Sequence, residues 1–232
     1  PLFSAAGEYQ PNEMRKLHLR QTLANLGFDE AISYSFIDAK HDEKFDLIPG
    51  FVHENLDEKF VPLKDSIIEG AVRMRPSLLP GLLDAVRVNF NYQNRNLRLF
   101  EIGKVFSASE SENELPDERE LLALVLTGSE TFQNKALTGR EFDFYDTKGA
   151  LESAIDATNA PNLEFRAAEA KHLRKGQSAE ILLNEKPVGT IGRLNDEISA
   201  AYKFRQTVFV AEIDLQTILE QGERKILYHP LP

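Results

Sequence analysis

Strand-like segments in this chain follow one another without a helix between each pair. Residues 97–106 and 120–127 read as consecutive strands, and so do 163–168, 178–183 and 187–192. Parallel neighbours need a long crossover, usually a helix, whereas antiparallel neighbours need only a turn. The order therefore predicts an α+β fold, a largely antiparallel sheet flanked by helices, and excludes a doubly wound parallel sheet. The stretch "RLFEIGKVF" at 98–106 sharpens this. Side chains alternate along a strand, so Phe100, Ile102 and Phe106 share one face with Arg98 and Lys104. Leu97, Leu99, Glu101, Gly103 and Val105 share the other. Both faces are largely apolar, so both require a cover. A carboxylate in the middle of such a strand is costly unless paired. Arg98 and Lys104 point to the opposite face, which leaves Arg73 and Arg75, on a strand that could lie alongside, as candidate partners of Glu101.

Helical periodicity supplies the covers. A helix over 12–26 ends at Gly27, placed for a left-handed C-terminal residue. Met14, Leu17 and Ala24 form one apolar stripe on it, and Leu19, Leu23 and Leu26 form another roughly opposite. Two apolar sides call for two covers, one of which could be a partner chain. A second helix follows Ser77, with Leu79, Leu82, Leu83, Val86 and Phe90 on its apolar face and Pro80 in its first turn. A third starts at Asp146 or Thr147 and runs to about 158. A fourth runs from Asn195 or Asp196 to near Phe204, and a short one follows Asp214. Further strands are expected at 31–37, 67–75 and 207–213, with a hairpin turn at Asn184-Glu185. Residues 38–60 are charged and loop-like, with room for a short helix.

The 232 residues carry a formal net charge of −10, which argues against broad, charge-driven nucleic-acid binding by this chain alone. There is no cysteine, so disulfides, thiolate metal sites and cysteine nucleophiles are excluded. No apolar run approaches the ~20 residues of a membrane span, and no signal-peptide pattern opens the chain. The Pro-rich ending "ILYHPLP" and the missing initiator Met suggest a domain of a longer polypeptide. Residues 1–11 read as a lead-in, 12–221 as the core domain and 222–232 as a linker.

Chemistry-bearing motifs are sparse. The five histidines, His18, His41, His53, His172 and His229, lack metal-ligand spacing. No glycine-rich phosphate loop and no nucleophile elbow is present. Ser77 reads as a cap, Ser178 as a strand position, and the glycines of "GTIG" at 189–192 as turn and close-packing positions. Two stretches are basic, "RKLHLR" at 15–20 and "KHLRK" at 171–175; neither has interleaved aromatics for base stacking. Lys171, Arg174 and Lys175, in an expected loop, are the better candidates for a phosphate contact.

At this point the order of motifs becomes specific. "MRKLHLRQTLANLGFDEAISYSFI", "MRPSLLPGLLDAVRVNFNYQNRNLRLFEIGKVF", "FDFYDTKGALESAI" and "KGQSAEILLNEKPVGTIGRLNDEISAAYKF" followed by "VFVAEIDL" resemble, in order, the catalytic-like core of the phenylalanyl-tRNA synthetase β subunit. The resemblance covers most of residues 12–215. It implies the fold of class II aminoacyl-tRNA synthetases, in agreement with the independent α+β reading. It implies a cytoplasmic heterotetramer of two α and two β subunits, which joins phenylalanine to its tRNA through an adenylate made with ATP and magnesium. In that family the chemistry sits on the α subunit, and helices equivalent to 12–26 meet at the subunit interface. The expected interface residues are then Met14, Leu17 and Ala24, and Lys171, Arg174 and Lys175 would face tRNA. The tail would lead into a C-terminal ferredoxin-like anticodon-binding domain, and the family's editing site lies in an earlier part of the β chain.

This sequence departs from the active class II pattern. Where an arginine that grips the ATP α-phosphate should follow the 97–106 strand, the chain reads "SASESENE", acidic and free of arginine. The late stretch "VFVAEIDLQTIL" lacks both the glycine pattern and the second ATP-binding arginine. The expectation is a module with no catalytic, cofactor-binding or metal-binding residues, in which Glu101 is a structural buried acid. The alternative is a free-standing paralogue using the same fold for regulation or binding.

Overall fold

The computed structural model describes residues 10–38, 44–52, 59–65, 70–109, 115–130 and 139–224. Most of the 1–11 lead-in and of the 222–232 linker, the centre of the acidic 107–118 loop, residues 66–69 of the expected 67–75 strand, and His41, His53 and His229 lie outside the described residues.

A seven-stranded sheet forms the centre. Its strands are β1 (Asp29–Glu30), β4 (Leu97–Ser107), β5 (Asp117–Thr127), β6 (Glu164–Ala167), β7 (Leu173–Leu183), β8 (Lys186–Leu194) and β9 (Val208–Asp214), in the spatial order β1-β4-β5-β9-β8-β7-β6. Only β1 pairs parallel, with β4; the other neighbours are antiparallel. A separate pair, β2 (Phe36–Ile37) and β3 (Arg73–Met74), is also antiparallel. The β7–β8 hairpin turns on Asn184 and Glu185, with φ of 50° and 64°. These left-handed values suit a tight turn that follows the sheet's own twist.

The strand alternation read from "RLFEIGKVF" is realised as two cores. On one side α1 (Glu13–Asn25), α3 (Phe144–Asp156) and α5 (Leu215–Glu220) cover Phe100, Leu122, Leu124, Phe209 and Ile213. On the other, α2 (Leu79–Asn91), α4 (Asp196–Ala201) and the 45–51 segment cover Leu97, Leu99, Val105, Leu121 and Val210. Helix α2 buries the stripe Leu79, Leu82, Leu83, Val86 and Phe90.

Several local expectations are corrected. Residues 31–37 do not form one strand: only Phe36–Ile37 are strand, because Ser33 is turned inward to hydrogen-bond Glu101. Helix α3 starts before Asp146; Asp143 caps it, accepting from Tyr145 N and Asp146 N, while the Asp146 side chain accepts from Asp143 N in a reciprocal capping box. Helix α4 stops at Ala201, short of Phe204, as Lys203 takes a φ of 61°. The expected basic loop at 171–175 is half strand, since β7 begins at Leu173. Leu26 is exposed rather than buried with Leu19 and Leu23, because Gly27 (φ 82°) reverses the chain and sends Phe28 into the core instead. Gly189 and Gly192 lie within β8, the return strand of the hairpin, and are close-packing positions, as expected, rather than turn positions; a Cβ on Gly189 would overlap the carbonyl oxygen of Glu212.

Candidate functional site

The sheet face under α2 carries a row of polar side chains. Register places Glu101 on β4 opposite Ala123 on β5, Ala123 opposite Glu212 on β9, and Glu212 opposite Thr190 on β8. With strands about 4.8 Å apart, the backbone positions of Glu101 and Glu212 are roughly 10 Å from each other. Both are 2% exposed.

Each is satisfied by the protein itself. Glu101 Oε1 accepts from Arg75 Nη1 at 2.7 Å and from Ser33 N at 3.2 Å, and Oε2 accepts from Ser33 Oγ at 2.7 Å. Arg75, 4% exposed, also donates through Nε to the Lys104 carbonyl. A Cβ on Gly103 would overlap the Arg75 guanidinium, so glycine there makes room for that group against β4. Glu212 receives the start of α2: Oε1 accepts from Leu78 N at 2.7 Å, and Ser77 Oγ lies 3.0 and 3.1 Å from the two carboxylate oxygens. Ser77 Oγ in turn accepts from Leu79 N at 3.2 Å. Ser77 thus serves the helix start, as its position in the sequence suggested, and also ties that start to the sheet. Burial pushes the Glu212 carboxyl up to about 7, against the pull of its hydrogen bonds. Further along, His172 Nδ1 accepts from Asp46 N at 3.2 Å and Nε2 lies 3.3 Å from Thr190 Oγ1. Burial lowers the imidazole to about 4, so it is neutral at physiological pH.

The partner of Glu101 came from the strand that the sequence had singled out, and Arg73 does not join the pair. Sequence reasoning missed Ser33, Glu212 and His172. Glu212 carries the same signal as Glu101, an acid inside an apolar strand ("VFVAEID"), and could have been found by it.

The other candidate residues stand apart from this face. Helix α1 buries Leu19 and Leu23 completely, and leaves Met14 and Leu17 about 40% exposed and Ala24 exposed. The basic run beside them is consumed internally. Arg15 donates to the carbonyls of Thr158, Leu219 and Gly222, Lys16 pairs with Glu13 and Glu120, and Arg20 pairs with Glu30. In the second basic stretch Lys171 lies 3.7 Å from Asp46, Arg174 3.5 Å from Asp196 and Lys175 2.8 Å from Glu169. Among the described residues no cluster of histidine and carboxylate side chains is arranged to hold a metal, and no helix is long and apolar enough to cross a membrane.

Similarity to known proteins agrees with this fold. A pyrrolysyl tRNA synthetase of Desulfitobacterium hafniense superposes with a TM-score of 0.63 at 14% identity, covering 90% of this chain and 69% of that one. At that identity the likeness establishes the fold alone, that of a class II aminoacyl-tRNA synthetase core. In sequence, the phenylalanine–tRNA ligase beta subunit of Staphylococcus epidermidis is 34% identical over 236 residues, covering all of this chain. The same subunit of Listeria innocua is 29% identical over 233 residues. In both cases this chain spans 28% of the relative's length. The family model of the phenylalanyl tRNA synthetase beta chain CLM domain matches residues 2–215. The chain belongs to that family.

Proposed function

We propose that this chain is the non-catalytic core module of a phenylalanine–tRNA ligase β subunit. In this reading it supports assembly with a catalytic α subunit, and the whole ligase charges tRNA with phenylalanine using ATP and magnesium. The observation that carries the silent role is the closed polar row. Its two carboxylates are already taken by Arg75, Ser33, Ser77 and the start of α2, and the Arg75 guanidinium is committed to Glu101 and to a backbone carbonyl. A magnesium–nucleotide site needs free carboxylates for the ion and free donors for the phosphates. The residues on this face offer neither, so they do not fit that group, and no chemical step is assigned to them. They hold the start of α2 against the sheet.

Assembly is supported by α1, whose Met14, Leu17 and Ala24 remain uncovered while Leu19 and Leu23 are completely buried. Titration of the domain with ATP and magnesium by calorimetry tests the silent role. The expected result is no heat of binding, and micromolar affinity would overturn it.

A further inference from the structure

A cleft of about 890 Å³ opens at one end of the sheet, away from the polar row, between the segment before β4, the ends of β5 and β8, α4 and the segment before β9. Three arginines line it: Arg95, Arg193 and Arg205. Two acids face them, Glu141 and Asp196. Asp196 is shared, lying 3.3 Å from Arg193 and 3.5 Å from Arg174, so one carboxylate answers two guanidiniums. Arg95 stacks over Phe90, 4.9 Å from the ring centroid, and neither Arg95 nor Arg205 has a carboxylate partner among the described residues. The rim is therefore locally positive in a chain of net charge −10. Screening confines charge effects to about 8–10 Å, so the local balance, not the total, decides what approaches.

We infer that this cleft binds the phosphodiester backbone of RNA, with Arg95, Arg193 and Arg205 as the contacting groups and Arg174 extending the tract. Planar guanidinium forks match phosphate oxygens two at a time. The arginines arise from separate elements, the segment before β4, β8 and the segment before β9. The inference rests on the proposed function, which supplies tRNA as the RNA. It also revises the part played by the 171–175 stretch: Lys171 and Lys175 are turned to acids of their own, whereas Arg174 is continuous with the cleft through Asp196.

The test uses the assembled ligase with the full-length β chain and measures tRNA affinity between about 50 and 200 mM salt. The Arg95→Gln/Arg205→Gln variant is expected to bind tRNA about ten-fold more weakly. Its log–log salt slope should be shallower by about 1 to 2, and KM for ATP and for phenylalanine should be unchanged. Unchanged tRNA affinity and slope would overturn the inference, as would an equal loss of ATP affinity, which would indicate a structural effect. Should the double variant not assemble, Arg205→Gln alone, at an exposed side chain, carries the same test with a slope change of about 1. Inorganic phosphate is the second probe: if it binds the wild type but fails to compete with tRNA, the cleft is a small-anion site and the RNA reading falls. Failure of the wild-type assembly to charge tRNA with phenylalanine would sink the proposed function instead. Normal charging with an unaffected double variant would sink only the cleft.

Discussion

Glu101 and Arg75 illustrate what a buried charge demands of its surroundings. Neither ion could remain alone at this depth, and the pair persists because Ser33 and the Lys104 carbonyl complete the remaining hydrogen bonds. Glu101→Leu and Arg75→Met should each cost about 3–5 kcal/mol in urea denaturation, since each strands the other charge. The double variant should cost no more than the worse single one. Single losses below about 1 kcal/mol would mean that the pair is not holding the site. Glu212 and His172 make opposite demands on pH. The folded His172 sits near 4 against an ordinary 6.5, so only the unfolded chain takes up that proton in between, and this contribution to stability is lost as pH falls from about 6.5 to 4. The folded Glu212 sits near 7 against 4.5, so its contribution is complete below about 4.5 and lost as pH rises to about 7. Over the shared window the two oppose each other. Glu212→Gln should therefore make the slope of stability against pH more positive than in the wild type between about 4.5 and 7, by up to about 1.4 kcal/mol per pH unit. His172→Gln should make the slope more negative than in the wild type between about 4 and 6.5. Parallel profiles for all three proteins would refute this assignment.

At the scale of elements, helix α1 has one apolar stripe buried and another left exposed. Its Leu19/Leu23 stripe packs toward α3 in the core beneath the sheet, and Arg15 ties it to the carbonyl ends of α3 and α5. The Met14/Leu17/Ala24 stripe adds nothing to that core. Leu17→Asp should change the stability of the isolated domain by no more than about 0.5 kcal/mol. In the proposed assembly it should nevertheless abolish co-purification with an α subunit, and an intact assembly in that mutant would count against an interface on this stripe. Helix α2 works differently. Its start is held both by Ser77, whose hydroxyl accepts from Leu79 N, and by a strand residue, Glu212, 134 positions from Leu78. That is why Ser77 could be recognised as a helix-start residue from sequence while its second role, as the hydroxyl that binds the sheet, could not. The same limit applies to "AISYSFI". Its alternation is genuine, but the pull of Glu101 on Ser33 outweighs local strand preference.

For the molecule as a whole, one sheet separates two cores, and its central strands β4, β5 and β9 contribute to both. Loss of packing on either side should thus propagate to the other. Leu151→Ala, under the α3 side, and Leu83→Ala, under the α2 side, should each cost about 2–5 kcal/mol. Both should preserve a single unfolding transition seen alike by circular dichroism and fluorescence. Two separated transitions would mean that the layers fold independently. The antiparallel class, the helices over both faces and the pairing of Glu101 with an arginine were legible because alternation and helical periodicity are local signals, and because an unpaired buried charge is prohibitively costly. The row Glu101–Ala123–Glu212–Thr190 and the cleft of Arg95, Arg193 and Arg205 were not, since each joins residues scattered over more than 80 positions, the row by strand register and the cleft by the packing of segments at the sheet's end. By itself, then, the sequence determined most of the strands and helices, which faces are apolar and that its mid-strand acid needs a partner. Only the tertiary structure decided which acids share a face, which arginines are spent and which remain free, because register and burial follow from packing the whole chain at once.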